Sequence, residues 1–274
     1  MPDSSVTRVI PLILGWERLP ISFSLHGDTT GEVIVEPVPA LLLDTDDGWT
    51  LIDVGINSVI VRDPWLFQRL HGRNHMITPY LPAEHDETLI EQLRGHGVEL
   101  SDVTRIFLSH LHNDHAGCLR LFDAKVPVWV QQREYDYAMT HPHPEQHGMF
   151  RIDYDDPQIE WHFMDGDEQL APGIFAFTTP GHTPGHQSFV IETKDGQGWV
   201  FAYDAGDLTA NFEQEISPGG LIKSTPEEGL TSVLRVKEIA TQRGFPVIPG
   251  HDPIVWPKLI RAAGGVPPEF PGDA

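Results

Sequence analysis

Ile106-Phe107-Leu108-Ser109-His110-Leu111-His112-Asn113-Asp114-His115-Ala116-Gly117 sets three histidines and a carboxylate directly after an apolar run. The run Ile106-Phe107-Leu108 predicts a buried strand, and Ala116-Gly117 turns the chain beyond it. His110 and His112 are two positions apart, so on an extended backbone both project to one side. Asp114 and His115 follow on the turn, where they can face a neighbouring position. Imidazole and carboxylate suit a borderline metal such as zinc without any thiolate. A surface loop that merely happens to be His-rich needs no strand before it, whereas a metal motif of this spacing does.

The spacing H-x-H-x-D-H resembles that of the metallo-β-lactamase superfamily, which implies further ligands downstream, and three candidates lie there. His182 stands in Thr179-Pro180-Gly181-His182-Thr183-Pro184-Gly185-His186, Asp204 in Phe201-Ala202-Tyr203-Asp204-Ala205, and His251 in Ile248-Pro249-Gly250-His251-Asp252. Each follows an apolar, strand-like segment and sits at or near a Gly or Pro turn. Side chains at successive strand ends converge on one rim, so the ordered set carries weight that a lone His or Asp would not.

Working outward, residues 33–44 read as a strand broken by Pro37 and Pro39, and residues 48–55 as a second, joined by a turn at Thr45-Asp46-Asp47-Gly48. Asp53, at the end of that second strand, resembles the same superfamily's strand-end aspartate, which implies support of a ligand from behind or bracing of a loop rather than holding metal. Residues 56–85 show no clear period and predict a long excursion near the mouth of the site. Asp86 is expected to cap a helix to about residue 95. Strands follow at 126–130, 161–164, 173–179, 186–193, 199–203 and 246–249. The segment 131–160 mixes a short helix with His141-Pro142-His143-Pro144 and His147, which read as surface histidines of a Pro-rich loop. The longest helix starts at Thr225-Pro226-Glu227-Glu228, a capping-box pattern, and runs to about Arg243, where Gly244 stops it. Leu230, Val233, Leu234 and Ile239 are available for its buried side.

The chain has 274 residues, 40% of them hydrophobic, enough for one large core. No apolar stretch reaches the length of a membrane span, and the N-terminus has neither the basic start nor the apolar core of a signal peptide. A cytoplasmic protein is the expectation. The single cysteine, Cys118, excludes an intrachain disulfide and reads as a small buried thiol. A formal charge of -22 would repel a phosphate backbone and argues against nucleic-acid partners.

The pattern H-x-H-x-D-H with His182, Asp204 and His251 behind it resembles the metallo-β-lactamase superfamily. The resemblance implies an α/β (α+β) four-layer αββα sandwich, a single domain over residues 1–274 with 264–274 as a loose tail. It implies two divalent ions, zinc or similar: His110, His112 and His182 on one, Asp114, His115 and His251 on the other, and Asp204 bridging. Such ions share a water, lower its pKa and polarise a scissile carbonyl, with Asp114 as the group that passes a proton to the leaving alkoxide. His186 is assigned to structure.

Within the superfamily the chain is most similar to the N-acyl-homoserine lactonases, on Ser109-His110-Leu111-His112 and on Asp204-Ala205 followed by Asn211-Phe212. A small-molecule lactone is therefore the expected partner, with a homodimer compatible. The chain departs from that branch at two substrate-binding positions. Asp207 stands where such lactonases place a tyrosine, and Asn113 where phenylalanine is usual; both make the pocket more polar. The replacement for the tyrosine hydroxyl is sought in Tyr203, Tyr80, His75 or Tyr137, with Asp207 expected to turn away. The alternatives are a thioester hydrolase of the glyoxalase II type, which would need a basic C-terminal domain, and a mononuclear iron persulfide dioxygenase.

Overall fold

The structure, a computed structural model, describes residues 4–72, 76–82 and 88–272. Strands β1 (Val6–Pro20), β2 (Val33–Thr45), β3 (Gly48–Ile52), β4 (Thr78–Tyr80), β5 (Val103–Phe107), β6 (Pro127–Gln131) and β7 (Glu160–Met164) build one sheet. Its order is β4-β1-β2-β3-β5-β6-β7. Strands β8 (Glu168–Ala171), β9 (Ile174–Thr178), β10 (Gln187–Glu192), β11 (Gly198–Tyr203) and β12 (Val247–Pro249) build the other, in the order β12-β11-β10-β9-β8.

The helices are α1 (Ser58–Arg62), α2 (Pro64–Leu70), α3 (Thr88–Gly95), α4 (Asn113–Ala116) and α5 (Gln132–Thr140). They continue with α6 (Arg151–Tyr154), α7 (Thr209–Glu213), α8 (Pro226–Arg243) and α9 (Val255–Ala262).

Alternation along the strands sorts the core into three layers of contact. Ile13, Leu41, Leu43, Phe107, Phe189 and Phe201 meet between the two sheets. Their neighbours Leu12, Leu14, Leu42 and Ile106 point the other way, against Leu89 and Leu93 of α3 and Ala138 of α5. On the far side, Phe177, Val190, Val200 and Ala202 pack against Val233, Val236 and Ala240 of α8. Helix, sheet, sheet and helix are thus stacked as a four-layer αββα sandwich, as the resemblance implied.

Several local expectations are met. Thr225 Oγ1 accepts from Glu228 N, Pro226 begins α8, and Gly244 ends it at φ 71°. The buried face of that helix is Gly229, Ser232, Val233, Val236 and Ala240. Leu234 is not on it and is 41% exposed, because it points across the helix from the 3.6-residue stripe. Pro37 and Pro39 do not break β2, which runs through them paired to Trp16 and Ile13 of β1. Strand β3 covers β2 only over Leu41–Thr45, so the prolines lie where β2 has a free edge and no missing N–H is felt. The capping expectation for Asp86 lies outside the described residues. Beyond His251, α9 buries Trp256 and Ile260, and Phe270 stacks edge-on against Trp16 and Tyr80 at 6.0 and 5.1 Å.

Candidate metal centre

The rim of the sandwich gathers the ends of β5, β9, β11 and β12. Parallel pairing of β5 with β3 and of β11 with β12 brings those strands to the rim pointing the same way. Gln187 ties the two sheets together there, donating from its N to Ser109 O (3.0 Å) and from its Nε2 to Leu108 O (2.7 Å), while its Oε1 accepts from Gln131 Nε2 (2.9 Å). At the other crossing Gly250 lies so close to Tyr203 that an added Cβ would stand 2.7 Å from the Tyr203 carbonyl. Any larger residue would push His251 off the rim.

His110, His112, His182 and Asp204 offer ligand atoms that all lie within 4.8 Å of one another, and so do Asp114, His115 and His251. Asp204 stands between the two trios. Its Oδ2 is 3.1 Å from His182 Nε2 and 3.7 Å from His110 Nε2, while its Oδ1 is 3.1 Å from His251 Nε2 and 3.3 Å from His115 Nε2. Asp114 Oδ2 lies 3.0 Å from His115 Nε2. All seven sequence-predicted ligands are therefore brought together.

Hydrogen bonds behind the trios fix which ring nitrogen faces inward. His115 Nδ1 donates to Asp53 Oδ2 (2.7 Å), His251 Nδ1 to Pro37 O (2.9 Å) and His110 Nδ1 to Ser109 Oγ (3.0 Å). Each leaves its Nε2 for the centre. Asp53, at φ 61°, also accepts from Ser109 N and Ser109 Oγ, so one carboxylate braces both the strand end and His115. This is the bracing role expected of it. His186 is structural too: its Nε2 accepts from Asp204 N at 3.1 Å.

The donor set fits divalent ions. The buried Nε2 atoms of His110 and His115, which face Asp204, have no hydrogen-bond partner, a costly state unless a cation sits between them, and His112 Nδ1 and His182 Nε2 turn toward each other at 2.8 Å. Burial pulls His112 down to about 4 and His110 and His182 well below the ordinary imidazole range, so these three are neutral. In the other trio burial alone would do the same, but Asp114, Asp204 and Asp53 hold His115 well above its usual value. Asp204, with Asp114 helping, likewise raises His251. Burial opposes ionisation of Asp114, yet His115 outweighs it and brings the carboxyl down to about 2.

Beside the trios opens a cavity of about 230 Å³. Leu70, His71 and Ile77 reach it from the first excursion, and Glu145–Gly148 with Phe150 from the second. Asn113 lines it, its Nδ2 donating to Gly148 O at 3.2 Å. Asp207 does not turn away: it lines the cavity, 5% exposed, because its backbone carbonyl is held by His251 N at 2.8 Å. Tyr203 is buried between the sheets with its hydroxyl toward Ile52 O (3.5 Å), and Tyr80 and Tyr137 do not line the cavity. His75 lies outside the described residues. The histidines of 141–147 form no metal-binding group among the described residues, although His147 lines the cavity. Cys118 is the buried thiol expected, its Sγ 3.2 Å from Ile56 O.

Three contributors escaped the sequence reading. Glu134, wholly buried, accepts from Leu111 N (3.0 Å) and Gly185 N (2.9 Å), pinning the two ligand loops to each other. Glu17 and Glu36 line the cavity from β1 and β2. For Glu134 a signal was available, a lone acid just inside a helix after an apolar strand; for the other two the signal is tertiary.

Residues 33–251 match the model of the Metallo-beta-lactamase superfamily. The chain is 31% identical to the N-acyl homoserine lactonase AttM of Azorhizobium caulinodans, over 83% of this chain and 86% of that one. It is 33% identical to the N-acyl homoserine lactonase AiiA of Bacillus thuringiensis subsp. kurstaki, over 82% and 84%. Among solved structures, a B. thuringiensis AiiA variant with N-decanoyl-L-homoserine at its active site superposes with a TM-score of 0.79 at 30% identity, covering 91% of this chain and 94% of that one. An N-acyl homoserine lactone hydrolase with N-hexanoyl-L-homoserine at its catalytic metal centre gives the same values.

Proposed function

The chain belongs to the metallo-β-lactamase superfamily, and on that premise we propose that it is a metal-dependent hydrolase that opens N-acyl-homoserine lactones or related lactones. The observation that carries the reading is Asp204, which turns one carboxylate oxygen to each trio of ligands beside a cavity that can admit a small ring. The relatives of similar length are lactonases by name.

Two divalent ions, which we take as zinc, would be held by His110, His112 and His182, by Asp114, His115 and His251, and by Asp204 between them. Ions there supply Lewis acidity and an activated water at neutral pH. The chain's own residues do the rest. Asp114 lines the cavity with a carboxylate that a bound ion would keep ionised, so it can accept a proton at an oxygen and return it to the departing alkoxide. Asn113 offers an amide whose Oδ1 is without a partner, and Leu70, Phe150 and Leu221 give the substrate an apolar resting place. We take residues 1–274 as one catalytic domain, cytoplasmic and possible as a homodimer, to be checked by fractionation and gel filtration.

The test is a panel of lactones read as acid release, beside a glutathione thioester and a β-lactam, on protein whose metals are counted. Two metals per chain with lactone opening support the reading. One tightly held iron, or thioester cleavage without lactone cleavage, overturns it.

A further inference from the structure

Glu17 of β1 and Glu36 of β2 are direct partners in the antiparallel register. Like charges set opposite each other in this way destabilise a sheet, so the pair calls for a compensating charge. The charges that reach it, on His251 and His115, belong to the metal centre and not to a partner of its own. Both carboxylates line the cavity of the metal centre, and among the described residues no lysine or arginine lines it. Glu36 is 4% exposed with a hydrogen bond from Ser24 Oγ at 2.6 Å, and Glu17 has no hydrogen-bond partner among the described residues. A separate observation points into the same space. Asp207, nineteen-twentieths buried on a different element, lines the cavity with its Oδ1 unpartnered. His71, also buried with an unpartnered Nε2, brings no competing charge, since burial lowers it to about 4.

We propose that Glu17 and Glu36, with Asp207, form a subsite for a positively charged group on the substrate, so that the preferred lactone carries an ammonium or guanidinium on its side arm. The inference rests on the lactone reading above and narrows it. Burial pushes the Glu36 carboxyl up to about 7 and that of Glu17 well above the usual range. A cation arriving between them favours the ionised forms and gains the attraction that the empty pair lacks. Leu19, two residues from Glu17 on the same strand, and Phe23 line the cavity as well, which suits an alkyl stem leading to the charged head.

The experiment uses three lactones of one ring and one arm length, ending in trimethylammonium, in its neutral isostere tert-butyl, or in carboxylate. On metal-loaded protein the expected kcat/KM for the cation exceeds that for the tert-butyl compound about tenfold, about 1.4 kcal/mol, with the carboxylate below both. In Glu17→Gln/Glu36→Gln the cation-to-neutral ratio falls toward one; the single variants, checked by circular dichroism, serve if the pair does not fold. A wild-type ratio of one or less, or a ratio kept in the double variant, overturns the proposal. So does a third metal equivalent that disappears in the double variant, which would make the pair a metal site. If no lactone is opened at all, the lactone reading fails. The subsite is then judged by whether an alkyl trimethylammonium raises Tm more than its tert-butyl isostere in the wild type but not in the double variant.

Discussion

His110, His112 and His182 on one side of Asp204, and Asp114, His115 and His251 on the other, offer three ligand atoms each, but different forces hold them in place. The first trio is made of neutral imidazoles. Burial has removed their protons, and two of them, His112 and His182, sit 2.8 Å apart, ring nitrogen to ring nitrogen. The second trio is a network of charges: His115 is gripped by Asp53, Asp114 and Asp204, and His251 by Asp204. Neutral rings mark the first trio, whereas opposite charges balance in the second, although His115 Nε2 there makes no hydrogen bond. A metal entering the first finds lone pairs free, but one entering the second must replace protons that already balance the carboxylates.

The largest effect should come from the group both trios share. Asp204→Asn keeps the volume and removes the negative charge, so both metals should be lost to a chelator that leaves the wild type loaded. Lactone turnover should fall roughly a thousandfold, about 4 kcal/mol. His251→Ala should instead leave one metal in place. If elemental analysis shows Asp204→Asn still holding two ions, the two halves do not meet at that residue and the comparison fails. A smaller effect is expected one step back from the ligands. Asp53→Asn weakens the grip on His115, and loss of such a support typically costs 10- to 100-fold in metal affinity. That loss should fall chiefly on the second ion in a chelator competition. Equal weakening of both ions would mean that Asp53 acts through the backbone of Ser109, which it also holds.

The seven ligands were legible because each stands just past an apolar strand and near a Gly or Pro turn, and because the family pattern says how many to look for. The sandwich followed from the family resemblance and from strands spaced with helices between. The cavity wall was not legible in the same way. Strand β1 carries Leu12-Ile13-Leu14 buried on both faces, with Pro11 and Gly15 inside it, so it lacks the alternation that announces a half-buried strand. Without β1 there is no register, and without the register Glu17 and Glu36 are two acids nineteen positions apart. Helix α9 hid for a different reason. Trp256 and Ile260 have helical spacing, but Pro257 between them reads as a breaker, although a proline in the first turn costs no hydrogen bond. Asp207 was visible as a departure from the lactonase pattern. Its direction was not, because that is set by the contact of its carbonyl with His251 N.

The finest distinction between the halves is in their protons. His115 and His251 are raised well above the ordinary imidazole value in the metal-free protein, so both are protonated at pH 7 and must be deprotonated to bind an ion. His110, His112 and His182 are lowered and already neutral there. The sign follows: protons compete with the second ion throughout the range below the raised values, so its affinity increases with pH across pH 6–8. Protons compete with the first ion only below the lowered values, so its affinity is nearly flat over the same range. Each proton displaced corresponds to about tenfold in affinity per pH unit. Calorimetric titration of metal-free protein, repeated in buffers of different ionisation enthalpy, should therefore show near-zero proton release for the first equivalent and at least one proton for the second. Equal release for both equivalents would show that the carboxylates around His115 and His251 do not hold them charged, and that the two trios differ in sequence but not in electrostatics.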